Sequence, residues 1–331
     1  MMDDILYSIR DLSVDYNTRV GAVKAVDHVS LDVRKGEILG LVGESGCGKS
    51  TLGKAIMRLI TPPGQLGGGE LWFEGRDLMK ISEKEMRDVR GGRIGMVFQD
   101  PMTSLNPVQR VIEHLTETIQ THEPKVSDTA ARERAATLVE KLGIRHERLD
   151  DYPHQLSGGM RQRVMISLAL ALRAGLVIAD EPTTSLDVIV EAKFLDLLRE
   201  LRDEFDLTIL LITHNIGVVA EVADRVAVMY AGRLVELGDV FEVFADPQHP
   251  YTKGLLRSVP NIDLDGAELY KMEGSPPNLL HPPSGCSFHP RCPAVMDICP
   301  RVEPDFEPVS GDHFAACWLY GEQPSLGSAV Q

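Results

Sequence analysis

Gly43-Glu44-Ser45-Gly46-Cys47-Gly48-Lys49-Ser50 decides how this chain is read. Its spacing, G-x-x-x-x-G-K-S, is that of a phosphate-binding loop. The flanks fit that reading. Residues 38–42, Ile-Leu-Gly-Leu-Val, are a short apolar run suited to one buried strand. Residues 51–60 carry Leu52, Ile56, Leu59 and Ile60 at helical spacing. The loop therefore joins a strand to a helix N-terminus. Its glycines let successive N–H groups turn inward on an anion, and the helix end adds partial positive charge. Lys49 is placed to reach terminal phosphates, and the Ser50 hydroxyl to hold a magnesium ion. A glycine-rich turn with an accidental Lys-Ser is the plain alternative. Further motifs along the chain weigh against it.

Upstream, residues 5–9 and 23–33 alternate like paired strands, with a polar turn at 17–21. Tyr16 sits near that turn, where its ring could stack on a base or lie half-buried in the sheet. Downstream, residues 61–69 read as a loop closing the helix, and residues 70–75 as a strand ending in a turn. Residues 94–98 are another strand, stopped by Asp100-Pro101. Gln99 at its tip could coordinate a metal or orient a water; it could equally cap a turn.

Residues 105–173 change character. Residues 111–121 and 130–142 are helical in composition, with acids and bases interleaved. Leu156-Ser157-Gly158-Gly159 then opens a long apolar helix, with its apolar run at 164–174. A Ser here is an ordinary N-cap. The two glycines argue for more, because they weaken a helix unless backbone must approach something closely.

Residues 176–179 form a buried-strand run ending in Asp180-Glu181-Pro182. Two carboxylates at a strand's C-terminal end stand where doubly wound sheets bind ligands. Asp180 suits magnesium, and Glu181 suits proton abstraction from an attacking water. Ser185-Leu186-Asp187 precedes another helix. Residues 207–213 are the next buried strand, with His214 at its end. Residues 225–230 and 234–237 read as a hairpin around 231–233.

Composition sets bounds. The 331 residues allow two domains, and 43% hydrophobic with 25% charged is a folded composition. Thirty-four basic against 49 acidic side chains give a net charge of −15. That excess opposes nonspecific nucleic-acid binding. No apolar run reaches membrane-spanning length, and the first residues lack the pattern of a secretory signal. The expected location is therefore cytosolic, with membrane association only through a partner.

In this order, Gly43 to Ser50, Gln99, Leu156 to Gly159, Asp180-Glu181, Ser185 to Asp187 and His214 resemble the nucleotide-binding subunit of ATP-binding-cassette transporters. The likeness covers residues 5 to about 240. It implies an α/β cassette: a mixed sheet core, an antiparallel β-subdomain and a helical subdomain at about 102–173. It implies ATP and Mg2+ as ligands. Gly43, Glu44, Ser45, Gly46, Cys47, Gly48, Lys49, Ser50 and Thr51 would hold the phosphates, and Tyr16 the adenine. Ser50, Gln99 and Asp180 would hold magnesium. Glu181 would polarise water, with His214 and Gln99 completing the catalytic set. Ser157, Gly158, Gly159 and Asp187 would serve the ATP of a second cassette closed head to tail on the first. Two departures stand out. Asn215 replaces a frequent Asp, and Met160-Arg161 follows the signature where glutamine is frequent.

Residues 98–107, Phe-Gln-Asp-Pro-Met-Thr-Ser-Leu-Asn-Pro, look like the oligopeptide/dipeptide importer branch, which also includes nickel and glutathione importers. His249-Pro250-Tyr251-Thr252-Lys253-Gly254 resembles that branch's C-terminal extension. The implied division is a cassette at 1–244 and an extension at 245–331. The implied partners are a paralogous ATPase subunit forming a heterodimer, two transmembrane permease subunits, and an extracytoplasmic solute-binding protein reached through the permease. The address is the cytoplasmic face of the inner membrane, peripherally. A non-transport cassette ATPase is the competing class, but such proteins carry coiled-coil insertions or tandem cassettes.

The extension contains Cys286, Cys292, Cys299 and Cys317. Clustered cysteines in a reducing compartment point to metal. Zinc usually shows a closer Cys pair, so these wider spacings favour a [4Fe-4S] cluster, with zinc as the alternative and unliganded thiols as the plain reading. The resemblance to the peptide importer branch implies such a cluster there. Its expected role is to staple a small irregular tail that has little core of its own.

Overall fold

The computed structural model describes residues 4–100, 104–184, 186–258 and 272–321. Their strands are β1 (Ile5–Thr18), β2 (Gly21–Arg34), β3 (Ile38–Val42), β4 (Gly64–Phe73), β5 (Arg76–Asp77), β6 (Ile94–Val97), β7 (Leu176–Asp180), β8 (Thr208–Thr213), β9 (Arg225–Tyr230), β10 (Arg233–Asp239), β11 (Glu307–Ser310) and β12 (His313–Ala315). The chain divides into two units. One takes residues 1–6, 33–38 and 73–212, the other 7–32, 39–72 and 213–331.

In the first unit β6, β7 and β8 run parallel, with Ile94 opposite Leu176 and Leu176 opposite Thr208. Every residue of β7 and β8 is buried, which explains the apolar runs 176–179 and 209–212 within them. Around them lie the helices Glu83–Val89, Val111–His122, Asp128–Lys141, Gly158–Leu170 and Val188–Phe205. A Ser82–Glu85 capping box starts the first of these. Gly95 of β6 lets the helix Gly158–Leu170 approach closely, since a Cβ there would meet the Ala169 carbonyl oxygen at 2.7 Å.

In the second unit β1 neighbours β2 and β4. The two-residue connection between β1 and β2 can join only antiparallel strands. A second sheet runs in the order β11-β12-β10-β9-β3. β3 and β9 are parallel, while β9–β10, β10–β12 and β11–β12 are antiparallel. Ala231 and Gly232, at φ 50 and 85, make the tight β9–β10 turn. The helices are Lys49–Ile56, Ile216–Val222, Val240–Ala245 and Pro250–Arg257.

Two local expectations change. Residues 64–69 are not a closing loop but the first part of β4. The helix after the phosphate loop ends at Ile56, and Arg58 takes a left-handed φ of 50.

The tail differs most. It builds β11 and β12 and pairs Ala315 of β12 with Glu236 of β10. Phe288 packs its ring 5.2 Å from Tyr230 and 5.5 Å from Tyr251. Ile298, Cys299 and Trp318 form a small apolar core, with Trp318 Nε1 donating to the Val302 carbonyl at 2.9 Å.

This corrects the expectation of a metal-stapled extension. The four-iron cluster on Cys286, Cys292, Cys299 and Cys317 is overturned: among the described residues, which include all four, no group of three or more His, Cys, Asp or Glu side chains is disposed to hold a metal ion. The zinc alternative falls with it. All four are free cysteines. Burial pushes the Cys286 thiol up to about 12 and the Cys317 thiol up to about 11, favouring the protonated form over the thiolate that a metal needs. The tail has a sheet edge and a core to hold it, so the argument from a missing core does not apply.

Candidate nucleotide site

The phosphate loop lies in the second unit. β3 delivers the chain to Gly43, and Gly48 stands as N-cap of the helix Lys49–Ile56 with φ 108 and no side-chain cap. A Cβ on Gly48 would meet the Ala25 carbonyl oxygen at 2.0 Å, so both conformation and space demand glycine. The Gly232 N–H donates to the Cys47 carbonyl at 2.9 Å, tying the loop to the β9–β10 turn. Lys49 is only 5% exposed. Its ammonium donates to the carbonyls of Gly43 at 2.7 Å and Glu44 at 3.1 Å. The lysine thus spans its own loop. Burial raises the Cys47 thiol, with nearby Lys49 opposing.

Tyr16, near the end of β1, is half-buried. Its ring covers Gly64, where a Cβ would meet Cε1 at 2.7 Å. His214 is exposed just beyond β8. Asn215 after it is not idle: its Oδ1 accepts from Gly217 N at 3.0 Å and caps the helix Ile216–Val222. Asn and Asp cap equally well, so the substitution preserves this local geometry.

The first unit holds the remaining candidates. Gln99 is exposed after β6. Pro101, Met102, Thr103 and Ser185, which belong to the expected motifs, lie outside the described residues. Asp180 ends β7 and is 3% exposed. Glu181 follows at φ 50, an uncommon conformation for a residue with a Cβ. Its N–H donates to the Ile212 carbonyl at 2.8 Å, and its Oε2 accepts from Thr184 Oγ1 at 2.9 Å. Both carboxylates therefore sit at a strand end, and the second is aimed by its backbone and by a hydroxyl.

Ser157 is an exposed N-cap whose Oγ accepts from Met160 N at 3.3 Å. Gly159 is needed for close approach, because a Cβ would meet Val190 Cγ1 at 2.8 Å. Val190 belongs to the helix Val188–Phe205, whose N-cap Asp187 accepts from Val190 N at 2.9 Å. The signature turn and the Asp187 turn are thereby packed together.

Two contributors lie outside the nucleotide-site motifs, Tyr251 being part of the 249–254 stretch read only as a mark of the extension. Arg291 forks onto the Glu44 carboxylate at 2.7 and 2.9 Å, and the Tyr251 hydroxyl accepts from the Glu44 N–H at 2.8 Å. Nothing in the sequence links either to Glu44, since 247 and 207 residues separate them from it.

A family model described as ABC transporter matches residues 26–184, and one described as Oligopeptide/dipeptide transporter, C-terminal region, matches 235–299. The Dipeptide transport ATP-binding protein DppD of Bacillus subtilis is 48% identical over 97% of this chain and 96% of its own. The Oligopeptide transport ATP-binding protein OppD of Salmonella typhimurium is 46% identical over 95% of this chain and 94% of its own. This chain belongs to the peptide-transporter branch of the ABC ATP-binding family. Among solved structures, a dimeric post-hydrolysis ATP-binding cassette bound to ADP and Pi is similar at a TM-score of 0.64 and 27% identity. That likeness covers 71% of this chain and 98% of the solved one. The chain is thus an ABC ATPase. Among its described residues no helix is long and apolar enough to cross a membrane.

The loop fits an ATP polyphosphate on its own geometry: a glycine cradle, an uncapped helix N-terminus and a buried lysine. Asp180 and the Ser50 hydroxyl are donors of the hard-oxygen kind that magnesium takes.

Proposed function

We infer that this ABC ATPase hydrolyses ATP to drive import of di- or oligopeptides. The observation that carries the reading is the phosphate loop built on Gly48 and Lys49, in a chain whose 235–299 segment belongs to the oligopeptide/dipeptide transporter family. The nickel, glutathione and non-transport alternatives have no comparable support.

We assign the chemistry as follows. Gly43 to Thr51 bind the phosphates, and Lys49 leaves its own carbonyls for phosphate oxygens. Tyr16 stacks on adenine. Ser50, Asp180 and Gln99 hold Mg2+, which neutralises charge on the phosphates when bound. Glu181 orients the attacking water and accepts its proton. His214 contacts the terminal phosphate. Ser157, Gly158, Gly159 and Asp187 act on the nucleotide of the opposing cassette.

We further propose a cassette at 1–244, with its helical subdomain at about 102–173, and an extension at 245–331. The functional assembly is a heterodimer with a paralogous ATPase, on two permease subunits that receive peptide from an extracytoplasmic binding protein. It places the chain peripherally on the cytoplasmic face of the inner membrane.

The test is peptide uptake by cells lacking this chain, restored by the unaltered chain or by Glu181→Gln. Restoration by the unaltered chain alone supports the reading. Normal uptake without the chain, or full restoration by Glu181→Gln, sinks it.

A further inference from the structure

The tail holds the phosphate loop from outside. We propose that Arg291 and Tyr251 are positioning residues of the nucleotide site, which fix Glu44 in the phosphate loop and cancel the charge it would otherwise bring beside ATP. This rests on reading Gly43 to Ser50 as the loop that binds ATP phosphates.

Glu44 is gripped at three points, all within the second unit. Its carboxylate takes two parallel bonds from Arg291, Nη1 to Oε2 at 2.7 Å and Nη2 to Oε1 at 2.9 Å. That is the strong bidentate geometry of guanidinium and carboxylate. Its N–H donates to Tyr251 Oη at 2.8 Å, and Tyr251 is fully buried. Its carbonyl accepts from Lys49 Nζ at 3.1 Å. A shift of Glu44 therefore moves an anchor of the lysine.

Arg291 is itself constrained. Its side chain is 5% exposed. Nε donates to the Glu273 carbonyl at 3.1 Å, and Nη1 also reaches Tyr230 Oη at 3.3 Å. The guanidinium lies 5.8 Å from the Tyr230 ring centre and 5.9 Å from that of Phe288. The Glu44 hydrogen bonds come first in holding the guanidinium charged, well above its ordinary range. The support is thus rigid, charged and shielded from water.

The chemistry needs it. ATP brings several negative charges to the loop, and Glu44 adds another in the loop's second position. Unpaired, a partly buried carboxylate would repel phosphate and compete for the Lys49 ammonium. Paired to Arg291, it becomes a handle by which the tail fixes the loop.

The test uses the full chain, assembled with its partner cassette and permease subunits for the ATP KM and kcat, and by itself for equilibrium ATP binding and melting temperature. Arg291→Gln should raise KM about tenfold with kcat within about twofold, as loss of a charged hydrogen-bonded pair implies. Arg291→Lys should recover part of that. In the double variant with Glu44→Gln, KM should return to the Glu44→Gln value, because the charge needing neutralisation is gone. A purely structural role for Arg291 would lower the melting temperature without this rescue. Tyr251→Phe keeps the ring and loses the acceptor, and should raise KM by a smaller factor. An unchanged KM in folded Arg291→Gln, or losses that multiply in the double variant, would overturn the proposal. If Arg291→Gln does not fold, an unchanged KM in Tyr251→Phe overturns it alone. Absence of turnover by the unaltered chain in that complex would instead sink the ATPase reading, and equilibrium ATP binding would still decide the role of Arg291.

Discussion

His313 Nε2 lies 2.8 Å from Glu236 Oε1, with the two side chains 3% and 0% exposed. The same carboxylate accepts from the backbone N–H groups of Gln248 at 2.6 Å and His249 at 2.9 Å. A buried carboxylate is costly unless its lone pairs are filled. Here three donors fill them, from β12 and from the entry to the helix Pro250–Arg257. One side chain of β10 therefore fastens two separate stretches of the tail. Glu236→Ala leaves those donors facing an empty space and should cost about 3 kcal/mol of stability. Equilibrium urea unfolding measures this. An unchanged midpoint would show that the tail is held by its apolar contacts alone.

His249 makes the tail sensitive to acid. Burial pushes its imidazole down to about 4, with Glu236 opposing. Its Nδ1 accepts from Tyr251 N at 3.1 Å, a bond that a ring protonated at that nitrogen cannot make. The unfolded chain takes up this proton near pH 6.5. Between there and about 4 the unfolded state binds more protons than the folded one, so stability falls as pH falls through that window. Melting curves recorded from neutral pH downward should show the decline. His249→Asn retains a capping acceptor without a proton to gain. That variant should flatten the profile, and an equally steep profile would remove His249 as its source.

The two internal glycines of the phosphate loop should respond unequally to alanine. Gly46 and Gly48 both take left-handed φ, 82 and 108. Only Gly48 also lacks room, with the Ala25 carbonyl oxygen 2.0 Å from a Cβ where Gly46 has nothing within 4 Å. Gly46→Ala carries conformational strain alone, about 1–3 kcal/mol. Gly48→Ala adds a backbone clash and should lower both the melting temperature and ATP affinity further. Equal effects would mean that φ, and not the approach of β2, governs the position.

The parts read correctly from sequence are those whose signal is local. The strand, loop and helix around Gly43 to Ser50 have their spacing, β7 and β8 have apolar runs, and the β9–β10 hairpin has Ala231-Gly232 between them. The failures share a long reach in sequence. Residues 64–69 look like a glycine loop, yet they are drawn into β4. Gly69 lies so close to β1 that a Cβ would meet Leu12 Cα at 2.6 Å. Strand formation there is decided by the neighbour, not by propensity. The cysteine spacing carried no information on burial, and the sheet edge that receives β12 is set by β10, some eighty residues away. The grip of Arg291 and Tyr251 on Glu44 was invisible for the same reason. The Ser82–Glu85 capping box is a local signal as well, but residues 76–93 were passed over in the sequence and no helix was named there.

Glu181 is the residue on which the hydrolytic assignment turns. Its left-handed φ of 50 is maintained by the bond from its N–H to Ile212 O, and Thr184 Oγ1 donates to Oε2. Strain of this kind persists only where surrounding structure over-determines it. Glutamine has the same shape and can keep both contacts, but it cannot accept a proton from water. Glu181→Gln should therefore bind ATP with nearly unchanged affinity while its hydrolysis rate falls about 10²–10⁴-fold, the usual contribution of a positioned base. Thr184→Ala retains the carboxylate and loses only its orienting hydroxyl, so its rate should fall between those of the unaltered chain and Glu181→Gln. Single-turnover hydrolysis with ATP prebound separates these effects from binding. If Glu181→Gln hydrolysed ATP normally, the base would lie elsewhere, and the geometry at the end of β7 would have to be explained by folding alone.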